Sequence, residues 1–127
     1  MMEKKIINTP DAPSPIGPYS QAVQADQTLF LSGQVAINPK TGNLETADIQ
    51  TETHQVMHNL RAVLQAAGMD FNHVVKTSIF LSDMALFGSV NEIYGKYFSG
   101  DFPARETVAV KTLPKNVNVE ISMVAIR

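Results

Sequence analysis

The sequence contains no cysteine. Disulfides, thiolate catalysis and cysteine-based zinc sites are therefore excluded. It has no apolar run approaching the length that crosses a bilayer as a helix. It also has little net charge: 10 Lys and Arg against 12 Asp and Glu leave −2 at neutral pH. Bulk charge of that size draws in neither nucleic acid nor an anionic membrane. The opening residues, MMEKKIINTP, lack the hydrophobic core of a secretory signal, so the expected location is the cytoplasm. Nucleotide-binding glycine loops, internal repeats and low-complexity tracts are missing as well.

What is present has an ordinary globular composition, with 44% hydrophobic and 17% charged residues in 127. That length suits one domain, 1–127, able to bury roughly two thirds of its unfolded surface without a covalent staple. Four prolines, Pro10, Pro13, Pro15 and Pro18, rule out a helix near the start and predict an extended, ordered arm. Ile16 and Tyr19 are its expected apolar anchors. Residues 21–35 read as a hairpin turning at Ala25-Asp26-Gln27, and NPKTGN (38–43) as a strong turn.

The spacing of Ile49, Val56, Met57, Leu60, Val63, Leu64 and Ala67 predicts a helix over 48–67, with Asp48 as N-cap and Gly68 just past its end. The β-branched run at 73–82 predicts a strand. A second helix is expected after Asp83, where Phe87, Val90, Tyr94 and Tyr97 recur at helical spacing. Gly88 and Gly95 each cost it about 1 kcal/mol against alanine, so packing must hold it. Two strands close the chain, 105–111 and 117–126.

The last strand is the most informative. Its odd positions, Val117 to Ala125, are all apolar, whereas Asn118, Glu120 and Ser122 give way on the other face to Val124 and Ile126. One sheet face therefore packs on the helices. The other begins polar and ends apolar, and with only two helices available its expected cover is a second copy of the chain. The order β-β-β-α-β-α-β-β, counting a short N-terminal strand, predicts an α+β fold: a mixed sheet with two helices on one face.

Arg105 stands out in DFPARETVAV (101–110), because a permanently charged side chain opens an apolar strand expected to head into the core. From pattern alone, an ordinary salt bridge to Glu106 or Glu120 explains it. Three stretches, IGPYSQA (16–22), FLSGQVAINPKTG (30–42) and FPARETVAV (102–110), together with NVEISMVAIR (118–127), resemble the RidA/YjgF family, also labelled L-PSP. The resemblance spans about Pro13 to Arg127 and rests on several spaced motifs.

It implies a chorismate-mutase-like fold and a homotrimer whose sheets face one another in a central barrel, with clefts between subunits. It also implies hydrolysis of 2-imino acids, formed from 2-enamino acids such as 2-aminoacrylate, to 2-keto acids and ammonia. On this resemblance Arg105 binds the substrate carboxylate, a task suited to a planar, bidentate guanidinium. Glu120 activates water and then supplies the leaving amine with its proton. Tyr19, Ser32, Asn91 and Thr107 line the pocket. Thr107 stands where many family members have cysteine, and its expected contribution is through its backbone.

No cofactor or metal is called for, because an imine carbon is already electrophilic. His54 and His58 lie one helical turn apart but lack the glutamate of a zinc-protease motif. A triad of Ser78 or Ser82 with His73 and Asp83 lacks a nucleophile elbow. The alternatives are an RNA-acting translation inhibitor, a label used within the family, and a non-enzymatic carboxylate-binding or chaperone-like trimer.

Overall fold

The computed structural model describes residues 2–127. Its elements are β1 (Lys4–Ile7), β2 (Ala22–Ala25), β3 (Thr28–Gln34), α1 (Ile49–Ala66), β4 (Val74–Leu81), α2 (Phe87–Gly95), β5 (Ala104–Ala109) and β6 (Val119–Ile126). Their order is the one predicted. They form a single sheet in the order β1-β2-β3-β6-β4-β5. Neighbours are antiparallel except β4 and β5, which run parallel. A parallel pair needs a crossover, and α2 supplies it.

The helix α1 follows its sequence signals. Asp48 Oδ1 accepts the Thr51 N–H at 2.7 Å, filling one of the donors that the first turn leaves free. Gly68, just past the end, has φ 73°, a conformation that favours glycine. Val56, Met57, Leu60, Val63 and Leu64 are buried with Val119, Ile121, Met123 and Ala125 of β6 in one core. Each of these side chains larger than alanine contributes roughly 1.5–3 kcal/mol on burial. Asp83 caps a single 3-10 turn at Met84–Leu86, and α2 begins only at Phe87. Despite its two glycines, α2 is held by buried Val90, Ile93 and Tyr94.

Among the described residues six polar ones are buried, none of them read so in the sequence, and two of these, Glu52 and Gln21, tie distant segments together. Glu52 is fully buried on the first turn of α1. Its carboxylate accepts the Asn118 N–H at 2.7 Å, the Val119 N–H at 3.0 Å and the Asn118 side-chain amide at 3.0 Å. That ties α1 to the start of β6, where those N–H groups have left the ladder. Gln21 holds the proline arm: its Oε1 accepts the Thr9 N–H, and its Nε2 donates to the carbonyls of Thr9, Ala12 and Pro13. The arm is thus ordered as expected, but its anchors differ. Ile16 and Tyr19 are 73% and 52% exposed, while Ala12 and Gln21 are buried. An internal amide that satisfies four backbone groups holds the segment more firmly than either ring could from the surface.

The second departure concerns β5. It lies at the edge of the sheet and is mostly exposed, so it does not run into the core. The crossover through α2 returns the chain alongside β4, and no further strand covers it. The face away from the helices carries the row Ile6, Val23, Phe30 and Val124, linked by strand register. Phe30 is 50% exposed within the chain. That is the face the sequence marks as polar at one end and apolar at the other.

Replacing Glu52 by Ala leaves two buried N–H groups without acceptors. The expected loss of unfolding free energy is about 3 kcal/mol, measured by urea denaturation; a loss below about 1 kcal/mol would show that the tie is dispensable.

Candidate active site

Four of the six expected site residues, Tyr19, Asn91, Arg105 and Glu120, line two separate clefts, and Ser32 and Thr107 line neither. The first lies between α2 and the segment leading into β5. Asn91, Tyr94, Gly95, Phe102, Pro103 and Arg105 line it, and it encloses about 480 Å³. The second lies under the proline arm and encloses about 80 Å³; Tyr19, Gly33, Pro114, Lys115 and Glu120 are among its walls.

Strand register separates the clefts. Arg105 pairs with Thr77, a buried residue whose hydroxyl accepts the Tyr94 O–H at 3.0 Å. Arg105 therefore lies on the helix side of the sheet. Glu120 pairs with Phe80, two strand positions from Ser78, which pairs with Glu106. This row lies on the opposite side. One chain thus brings Arg105 together with Asn91, and Tyr19 together with Glu120, but holds the two pairs on opposite faces.

Among the described residues, Arg105 is a cation without an ion-pair partner. Its guanidinium carbon lies 5.2 Å from the centre of the Tyr94 ring and 5.6 Å from that of Phe87. Neither carboxylate suggested by the sequence reaches it. Glu106 pairs instead with Lys76 at 2.9 Å and takes the Ser78 hydroxyl. Ser78 and Lys76 hold the Glu106 carboxyl below its usual range. Burial pushes the Tyr94 hydroxyl above its ordinary pKa, against the opposing pull of Thr77 and Arg105, so it stays protonated as the donor to Thr77. Next along β5, the Thr107 hydroxyl is buried without a hydrogen-bond partner among the described residues.

Glu120 is set differently. It is half-buried, and burial raises its carboxyl pKa above the ordinary value. Arg105, across the sheet, is no cause of the shift. Room for the carboxylate comes from Gly33, where the β3–β6 register shifts between Leu31 and Gln34. A Cβ at Gly33 would stand 2.5 Å from Glu120 Oε2. The close approach that this glycine permits is therefore made by a side-chain carboxylate. Ser32 lies in the same irregularity, but its hydroxyl donates to the Ser20 carbonyl at 2.6 Å. Ser32 fastens the arm that carries Tyr19.

Sequence reading missed Lys115 at the Glu120 cleft. Lys115 and Asn116 have φ 56° and 55°, a left-handed pair that costs roughly 1–2 kcal/mol per residue; the Pro-Lys-Asn turn was the available signal. It also missed the part of Tyr94 and Phe87 beside Arg105, because their helical spacing reads only as core. His54 Nδ1 lies 2.6 Å from the Tyr97 hydroxyl. His58 packs beside both, its pKa lowered by burial and then by Arg61 and His54.

Residues 9–127 match the family model described as Endoribonuclease L-PSP, and the chain belongs to this family, the RidA/YjgF family of the sequence motifs. A mouse relative, 2-iminobutanoate/2-iminopropanoate deaminase, is 49% identical over 124 residues, covering 98% of this chain and 92% of its own. Among solved structures, the Rid-family protein YyfA of Yersinia pestis superposes with a TM-score of 0.95 at 48% identity, over 98% of this chain and 100% of that one. TdcF of E. coli, solved with bound serine, gives 0.93 at 37% identity, over 97% and 98% of the two chains.

Gly33→Ala tests the fit between the bulge and the carboxylate. The atom displaced is the end of a flexible side chain, so stability should change by no more than about 1 kcal/mol. Glu120, pushed toward water, should titrate nearer the ordinary carboxylate range by carbon NMR. An unmoved titration would show that Gly33 does not set its position.

Proposed function

We propose that the protein is a 2-iminobutanoate/2-iminopropanoate deaminase, hydrolysing small 2-imino acids to 2-keto acids and ammonia. The observation that carries this reading is a guanidinium on one sheet face with no carboxylate partner, and on the other a half-buried carboxylate with a raised pKa. A 2-imino acid needs both. Names carried by relatives such as the mouse deaminase support the same chemistry.

Because the two groups lie on opposite faces, the working site is assembled between copies of the chain. The trimer is part of this proposal, with the apolar row at Phe30 and Val124 as its seam. Arg105 of one copy receives the substrate carboxylate in a two-pronged hydrogen bond. Asn91 offers a further polar contact in that cleft, and Thr107, two positions along β5, is assigned a backbone contact. Tyr19 and Glu120 of a neighbouring copy close over the imine carbon.

Glu120 as carboxylate takes a proton from water while the water oxygen bonds to the carbon of the protonated imine (C=NH2+) and the C=N π electrons move to nitrogen, neutralising it. The resulting carbinolamine holds hydroxyl and amine on one carbon. The protonated Glu120 then gives its proton to the amine, the C–N bond breaks, and the hydroxyl collapses to a carbonyl as its proton leaves. One water is consumed and one ammonia released for each keto acid. A carboxyl with a raised pKa suits both halves, since it serves as base and then as acid near neutral pH.

The family description also names an endoribonuclease. A net charge of −2 gives little electrostatic purchase on a phosphate backbone, and salt-sensitive RNA cleavage by highly purified protein would favour that second reading.

Arg105→Ala and Glu120→Gln should each lower kcat/KM by at least about a hundredfold in an assay that generates 2-iminobutanoate in situ and follows the keto acid. Co-refolded mixtures of the two variants should regain activity, because some clefts then combine an intact arginine with an intact glutamate. No recovery would place both groups in one chain's site.

The acid limb of kcat/KM should lie above the ordinary carboxylate range, since Glu120 must be ionised to accept a proton. Stability runs the opposite way. A carboxyl whose folded pKa is raised favours folding when protonated, and that contribution is lost as pH rises through the folded pKa. Glu120→Gln should therefore raise Tm at pH 8, with the gain shrinking toward pH 4; a gain that grows with acidity would overturn the burial account.

A further inference from the structure

We infer that Phe87 and Tyr94 are positioning residues for Arg105: their rings hold the guanidinium by its faces and leave its in-plane N–H donors free for the substrate carboxylate. The inference rests on the proposed role of Arg105 as carboxylate fork.

The geometry gives the reason. A guanidinium can be held along its edge, by carboxylates and carbonyls that accept its N–H groups, or across its face, by aromatic rings. An edge-bound carboxylate would neutralise the charge and occupy the donors a substrate needs. The Arg105 guanidinium carbon lies over two rings, 5.2 Å from the centre of Tyr94 and 5.6 Å from that of Phe87, with no ion pair among the described residues. The nearby acid that could have taken it, Glu106, points to the opposite sheet face and is engaged by Lys76 and Ser78.

The rings themselves are placed by the fold. Tyr94 is buried in α2, and its hydroxyl donates to Thr77, the strand partner of Arg105. Thr77, Tyr94 and Arg105 therefore form a closed chain of contacts across β4, α2 and β5. Phe87 stands on the first turn of α2, about two turns earlier on the same side, and is partly exposed. The two rings thus restrict a long, flexible side chain before any ligand arrives, which lowers the entropic cost of binding.

Two measurements test this. Without substrate, the Arg105 side-chain protons should show ring-current shifts by NMR, and these should move toward ordinary values in Phe87→Leu and in Tyr94→Leu. With substrate, Phe87→Leu should raise KM about tenfold, the factor expected from one cation–π contact of ordinary strength, with kcat changed less than about twofold. Phe87→Tyr, which keeps a ring, should restore KM. Tyr94→Phe should keep the ring shift and lose only part of the affinity.

If Tyr94→Leu fails to fold, Phe87→Leu on the partly exposed turn decides the matter. Unchanged KM and unchanged Arg105 shifts in Phe87→Leu would overturn the inference. Arg105→Ala is measured alongside. If that variant leaves KM unchanged, the fork assignment fails instead, and the inference falls with it even where the ring shifts are seen. If Arg105→Ala raises KM and Phe87→Leu does not, the fork stands and the positioning role is refuted.

Discussion

Among the described residues the charge on Arg105 has no ion-pair partner, and the strands around it leave it open. A guanidinium cannot shed its proton near neutral pH, so an arginine set between aromatic rings without a carboxylate remains cationic. The parallel return through α2 puts it on the sheet edge, where a ligand or a second chain can reach it. Strand alternation puts the adjacent Glu106 on the other face, where Lys76 and Ser78 engage it. Each of these choices keeps an anion-sized place open beside a fixed cation.

The same sheet separates that cation from Glu120, the carboxyl proposed as general base. Alternation along a strand sends neighbours to opposite faces, and pairing carries the alternation across the sheet. Arg105 follows Thr77 to the helix side, while Glu120 follows Phe80 to the other. Had they met within the chain, the pair would have lowered the Glu120 pKa and quenched the arginine. Keeping them apart preserves a free cation and a carboxyl of raised pKa. The proposed assembly brings them together only across a subunit boundary, with substrate between.

Much of this was legible in the sequence. The order of elements, the Asp48 cap, the turn at Asp26 and the two-faced character of β6 followed from periodicity and turn chemistry, which are local properties. The candidate site residues came as a set from spaced motifs; the structure places Arg105 and Asn91 at one cleft and Tyr19 and Glu120 at another, with Ser32 and Thr107 at neither. What could not be read was non-local. Nothing near Glu52 in the sequence shows that its carboxylate will meet backbone N–H groups of Asn118 and Val119. Gln21 as the arm's fastening, β5 as an exposed edge, and Ser32 bonded to Ser20 likewise depend on pairings far along the chain. Tyr94 was read correctly as buried, but periodicity cannot say that the covering layer over it includes a guanidinium.

Gly33 carries a broader consequence for judging distant relatives. The location of the Glu120 carboxylate is set by a missing side chain on the adjacent strand. A checklist of reactive groups would pass any homologue that keeps the arginine, glutamate and tyrosine, whatever stood opposite the glutamate. The informative comparison pairs each acid with the residue facing it across the ladder. By that criterion a single hydrogen atom, the side chain of glycine, belongs among the groups that define the chemistry.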